Sequence, residues 1–203
     1  MDDDLKKYII DIIEPALHFI LIFTLIIGVP FFISGVWPPF VSILSESMEP
    51  NIDTGDMVFI VDNERYNSEY TSYGGVQTIE DESRKSFNNY GDVIVYSRNG
   101  NSNSIPIIHR AAFYVEDNEN WIHKANKSKL PSLSCNEVTY CPAPNAGIIT
   151  IGDNNNGYDQ AAGISKPVKS DWIIGRAEYR VPILGTIRNG MESVMSIKLI
   201  PTQ

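Results

Sequence analysis

The chain has 203 residues, 43% of them hydrophobic, and carries a formal net charge of −9. That length suits one ordinary domain plus an anchor. The negative balance excludes a nucleic-acid binder, which needs a basic face to neutralise phosphates, and charges mixed in sign along the chain exclude a disordered acidic tail.

The first element is the most pronounced. From Pro15 to Ser45 there is no Asp, Glu, Lys or Arg, and Ala16 to Trp37 reads ALHFILIFTLIIGVPFFISGVW. As a helix this run is about 33 Å long, enough to cross the hydrocarbon core of a bilayer. A cleaved signal peptide fits poorly, because the run is too long and no A-x-A-like site follows it. A helix apolar on every face also suits lipid better than the core of a small domain. Gly28 and Pro30 predict a bend, which membrane helices tolerate. Lys6 and Lys7 precede the run and no Lys or Arg follows until Arg65, so residues 1–14 are expected in the cytoplasm, 15–37 in the membrane and the rest outside.

Beyond the anchor the pattern changes to short β-like runs separated by turn residues. Met57–Val61, Asp92–Tyr96, Ile105–Val115, Trp121–Lys124, Ile148–Ile151 and Trp172–Tyr179 are the predicted strands. The expectation is a mostly β domain over 38–186. Residues 62–90 and 117–145 are polar and read as surface excursions. The second holds the single Asn-x-Ser site, Asn126-Lys127-Ser128, and both cysteines, Cys135 and Cys141. Outside the cytoplasm these could pair, or they stand as two free thiols; zinc lacks a second ligand pair at finger-like spacing. Residues 187–203 read as an amphipathic segment, with Ile187, Met191, Val194 and Met195 at helical spacing. Arg188, Glu192 and Lys198 exclude a second span there.

The chemistry-bearing residues fall in three places. Ser45-Glu46-Ser47-Met48-Glu49-Pro50, then Thr54-Gly55-Asp56, lie just past the anchor. A serine in a polar turn is an ordinary turn residue unless a positioned base takes its proton. Of the three histidines, His18 lies inside the apolar run, and His123 begins a strand beside a polar loop and is expected to be exposed. His109 sits in an apolar strand, where a nearby carboxylate would turn a core histidine into a base. The third place is Gly152-Asp153-Asn154-Asn155-Asn156-Gly157-Tyr158-Asp159-Gln160 after an apolar run. Alone this is a turn with local Asx hydrogen bonds; a calcium loop of EF-hand type fails for want of a closing Glu and flanking helices.

In this order, Ser-x-Ser-Met-x-Pro after a membrane helix, Thr-Gly-Asp, His-Arg ending an apolar strand and Gly-Asp-Asn with a further Asp resemble the type I signal peptidases. A histidine at 109, where bacterial members carry lysine, is similar to the archaeal type and to the catalytic subunit of the endoplasmic-reticulum enzyme. The Gly152–Gln160 stretch, with Trp172-Ile-Ile-Gly-Arg-Ala following, looks most like archaeal, halophilic members. The resemblance covers about Ala16 to Gly185 and implies a signal-peptidase-like β catalytic domain shared with self-cleaving repressors. It implies Ser47 as nucleophile, His109 as general base, Asp159 as the orienting acid and Asp153 as a supporting acid. It further implies an oxyanion held by the Ser47 N–H and the Ser45 hydroxyl, with Met48 and Pro50 shaping the turn and the wall of a shallow pocket. The implied substrates are signal-peptide-bearing preproteins at the membrane lipid surface, cut after small residues, with no metal or organic cofactor required. The rival readings are a related membrane protease with a dedicated or self-cleavage substrate, and an inactive anchored β-domain that binds secretory partners.

Overall fold

A computed structural model of the protein describes residues 3–63, 65, 75–82 and 84–182. The predicted amphipathic segment at 187–203 lies outside the described residues. The chain is mostly sheet, preceded by one N-terminal helix long and apolar enough to cross a membrane over Lys7–Ser34. That helix runs as α1 (Asp3–Phe23), one π turn (Thr24–Gly28) and α2 (Val29–Ser34). It therefore starts well before the expected boundary at residue 15, since Pro15 sits inside α1 rather than at its start. Where a bend is expected at Gly28 and Pro30, the helix has a π turn over Thr24–Gly28 and continues as α2 through Pro30. The helix stops three residues short of Trp37, because Gly35 adopts the left-handed conformation (φ 77°) and its N–H returns to the Phe31 carbonyl. Beyond it, Pro38 and Pro39 have no N–H with which to continue the helix.

The main sheet has six strands in the order β1-β2-β8-β5-β6-β7, and every neighbouring pair is antiparallel. The strands are β1 (Phe40–Ser42), β2 (Met57–Val61), β5 (Val93–Tyr96), β6 (Ile107–Val115), β7 (Gly147–Ile151) and β8 (Ile173–Val181); a separate hairpin joins β3 (Lys85–Ser86) to β4 (Asn89–Tyr90). Each predicted strand is found within a residue or two, except Trp121–Lys124, which is a 3-10 turn over Trp121–His123. There Asn120 caps the turn by accepting from the Ile122 N–H, a local bond that outcompetes extension. β1 and the β3–β4 hairpin were not anticipated, being too short to show a period.

The sheet is apolar on both faces. Along β5, all of whose residues are buried, Val93 and Val95 join Ile43, Met48, Ile52, Val58, Ile60 and Ala177, whereas Ile94 and Tyr96 join Val76, Ala111, Ile148 and Val168. That is the alternation a central strand imposes. A third cluster corrects the reading of 117–145 as a surface excursion. Trp121, Ile122, Ala125, Cys135, Val138 and Ala143 are buried against Phe113, Ile149 and Tyr158. Their spacing follows no helix or strand period, so pattern alone hid them. This segment is closed by the Cys135–Cys141 disulfide and tied down by the Trp121 indole N–H, which donates to the Tyr140 carbonyl at 2.8 Å.

Closing a loop this short removes about 2 kcal/mol of unfolded-state freedom. The double variant Cys135→Ser/Cys141→Ser is therefore expected to lose about that much stability in denaturant unfolding of the detergent-solubilised chain. An unchanged midpoint would show that Trp121 and its neighbours hold the segment without the crosslink.

Candidate active site

Three separate elements bring Ser47, His109 and Asp159 together. Ser47 sits in a 3-10 turn, Glu46–Met48, between β1 and β2. Its neighbour Met48 is fully buried among Ile43, Ile52 and Val58, so it pins the turn to the core instead of lining a pocket wall. Pro50 lies exposed on the surface after the turn. His109 is the third residue of β6, opposite Ile94 of β5; the His-Arg pair thus lies near the start of this strand rather than at its end. Asp159 lies in the loop that leaves β7. Its own N–H donates to the Thr150 carbonyl at 2.9 Å and its carbonyl accepts from the Ile164 N–H at 2.8 Å.

The side chains form a continuous line. The Ser47 hydroxyl is 3.0 Å from His109 Nε2, and His109 Nδ1 is 2.6 Å from Asp159 Oδ2. Asp159 is fully buried and the His109 side chain is 8% exposed, while Ser47 is only part-buried. A carboxylate only accepts hydrogen bonds, so Nδ1 carries the proton and donates to Asp159. Nε2 is left as the acceptor for the Ser47 hydroxyl. Ser45, exposed, places its own hydroxyl 3.1 Å from that of Ser47. With the Ser47 proton directed at His109, Ser45 is the donor of that pair.

Asp153 does not touch His109. Its carboxylate accepts two hydrogen bonds from the Arg110 guanidinium, Nε at 2.7 Å and Nη2 at 2.6 Å, and a third from the Asn51 amide at 2.7 Å. Its expected partners as a turn residue were backbone N–H groups; a buried arginine takes their place. Arg110 also donates to the carbonyls of Ser86 and Gly91, which ties the β3–β4 hairpin to the same cluster. The consequence for Ser47 is direct. Next to Asp153, the Asn154 N–H donates to the Ser47 carbonyl at 2.9 Å, and the Asn154 amide donates to the Glu46 carbonyl at 3.1 Å. Gly152 allows this approach, because a Cβ there would stand 2.6 Å from the Ser47 carbonyl oxygen.

Sequence reasoning missed Tyr96, Thr150, Asn51 and Asn154. Tyr96, fully buried at the end of β5, donates to Asp159 Oδ2 at 2.9 Å, and the Thr150 hydroxyl donates to the same oxygen at 2.6 Å. Burial and the adjacent Asp159 charge push the Tyr96 phenol well above its ordinary value, so it remains an O–H donor. A buried tyrosine closing an apolar strand must find a polar partner, and that was the available signal. The other two histidines stand apart from the site. His123 is 67% exposed beside Glu119, and His18 bonds the Glu14 carbonyl within the helix.

Among the described residues no group of three His, Cys, Asp or Glu side chains is placed to hold a metal ion. Compared with known proteins, the chain matches no family model and no curated protein.

The Arg110–Asp153 pair is nearly dry, at 2% and 5% side-chain exposure. Removing one partner of such a pair leaves an uncompensated charge, at a cost of about 3–5 kcal/mol. Asp153→Asn is thus expected to lower the melting temperature markedly and Asp159→Asn much less, since an amide oxygen there still accepts from Tyr96 and Thr150. The reverse order of thermal shifts would show that Asp159 is the structural member of the two.

Proposed function

We propose that the chain is a membrane-bound serine endopeptidase of the type I signal peptidase kind, which cleaves N-terminal signal peptides from secreted and membrane preproteins after small residues. The observation that carries the reading is the Ser47–His109–Asp159 line, at 3.0 and 2.6 Å. It joins residues far apart in the chain in the order nucleophile, base and orienting acid. His109 Nε2 takes the Ser47 proton as Oγ attacks the scissile carbonyl carbon. The same proton passes to the departing amine as the peptide C–N bond breaks, leaving an acyl-serine. Water, deprotonated by His109, then hydrolyses the ester. Ser45, whose hydroxyl already reaches Ser47, is the side-chain donor for the oxyanion, a role worth about 10²–10³ in rate.

Two open stretches of backbone favour an extended substrate. Among the described residues β1, which leads into Ser47, is an edge strand, and Ile43 just beyond it pairs only to residues 55 and 56. On β6 the pairing with β7 begins at Arg110, so among the described residues Ile107–His109 has no strand partner on that side. A peptide adding as a strand there meets Ser47 with its scissile bond. The apolar helix supports an anchor in the membrane. Lys6 and Lys7 at its head and a disulfide in the β-domain both favour a cytoplasmic N-terminus with the β-domain outside.

The test is cleavage of a signal-peptide-bearing preprotein by the purified full-length chain, with the cut site mapped by mass spectrometry. Wild type is expected to cut after a small residue. Ser47→Ala and His109→Ala are expected to abolish turnover, while His123→Ala leaves it intact. Asp159→Asn costs about 10⁴-fold by the serine-protease precedent. Turnover by Ser47→Ala equal to wild type would reject the assignment.

A further inference from the structure

We infer that Tyr96 and Thr150 are positioning residues for the His109–Asp159 pair, forming a two-hydroxyl cradle that fixes the carboxylate oxygen to which the imidazole donates. The inference rests on the serine-endopeptidase reading and extends it from the three reacting groups to the scaffold that aims them.

The cradle follows from strand register. β6 lies between β5 and β7. Across β5, Tyr96 stands opposite Ile107, two residues from His109; across β7, Thr150 stands opposite Ala111, two residues from His109 on the other side. Side chains two apart on a strand share a face, so the three polar groups rise from three adjacent strands on the same side of the sheet. Around them that face is apolar, built from Ile94, Ala111, Ile148 and Val168. Asp159 enters this setting from the loop and is fully buried.

A carboxylate taken out of water needs hydrogen bonds to replace those it loses. Here Oδ2 takes them all: His109 Nδ1 at 2.6 Å, the Thr150 hydroxyl at 2.6 Å and the Tyr96 hydroxyl at 2.9 Å. Oδ1 is buried with no hydrogen-bond partner among the described residues. Proton counting sets the directions. Each hydroxyl has one proton, and the carboxylate can only accept; with both protons aimed at Oδ2, the 3.1 Å approach of the two hydroxyl oxygens is a contact without a shared proton. The Thr150 oxygen still accepts from the Gln160 amide at 3.3 Å, and Gln160 in turn accepts from the Thr150 N–H at 2.9 Å, so the threonine rotor is held from behind. Tyr96 is locked by complete burial. Without the two hydroxyls, His109 would be the sole donor to a buried anion, and nothing else would set the rotation of its carboxyl.

The test combines steady-state cleavage of a preprotein with proton NMR of the full-length chain in micelles, read at the low-field resonance of the His109 Nδ1–H that donates to Asp159. Tyr96→Phe and Thr150→Val are each expected to lower kcat about 10–100-fold, the cost known for losing the hydrogen-bond partners that orient metal-bound histidines. KM should stay within about twofold and the low-field resonance should move or broaden. Thr150→Ser, which restores the hydroxyl, should recover kcat and the resonance, a rescue that a purely packing role would not give. Should Tyr96→Phe fail to fold, the Thr150→Val and Thr150→Ser pair decides alone. Unchanged kcat and an unchanged resonance in the folded Tyr96→Phe and Thr150→Val variants would overturn the inference, as would failure of Thr150→Ser to recover either. If wild type cleaves nothing, the peptidase reading fails by itself, and the resonance still reports whether the hydroxyls aim the pair.

Discussion

Two consecutive residues of β6 hold the loop that leaves β7. His109 and Arg110 point to opposite faces of their strand, as neighbours must. One meets Asp159 and the other meets Asp153, so the loop is gripped near its beginning and again six residues on. Because Asn154, beside the first grip, carries the Ser47 carbonyl on its N–H, the position of the serine turn is tied to the Arg110 ion pair. The two carboxylates therefore do different work. Asp159 orients the imidazole, and Asp153 holds the frame in which Ser47 meets it.

The helix is joined to this frame through a short path. At its C-terminal end the Ser34 carbonyl accepts from the Asp62 N–H, and the Pro39 carbonyl accepts from the Ile60 N–H. Both bonds fasten the chain leaving the helix to the end of β2. β2 pairs with β1, and the serine turn lies between those two strands. Ser47 lies thirteen residues past the last residue of the helix, Ser34.

All strands of the main sheet but the three-residue β1 were legible, because buried strands carry apolar runs bounded by Gly, Asp and Asn, and β5 and β7 are such runs. The serine turn, His109 and Asp159 were legible only as an ordered set, since each alone is an ordinary residue in its place. What sequence hid follows from physical causes. The segment 117–145 buries its apolar residues from irregular turns closed by a disulfide, so no period announces them. Asp153 looked like a local turn residue because its partner, Arg110, is 43 positions away. Tyr96 and Thr150 converge on Asp159 only through the register of three strands, which no single run of residues displays. Met48, beside the serine in sequence, reads equally well as pocket wall or core anchor until the burial of its side chain is known.

Activation of Ser47 by His109 can be read by covalent labelling, without any assumption about substrate. The full-length chain is treated with a serine-directed phosphonylating reagent, and the adduct is mapped by mass spectrometry. A single adduct is expected on Ser47, formed quickly in wild type and lost in His109→Ala, with Ser42 and Ser45 unmodified. Labelling of Ser47 at the same rate without His109, or an adduct on another serine in its place, would contradict it.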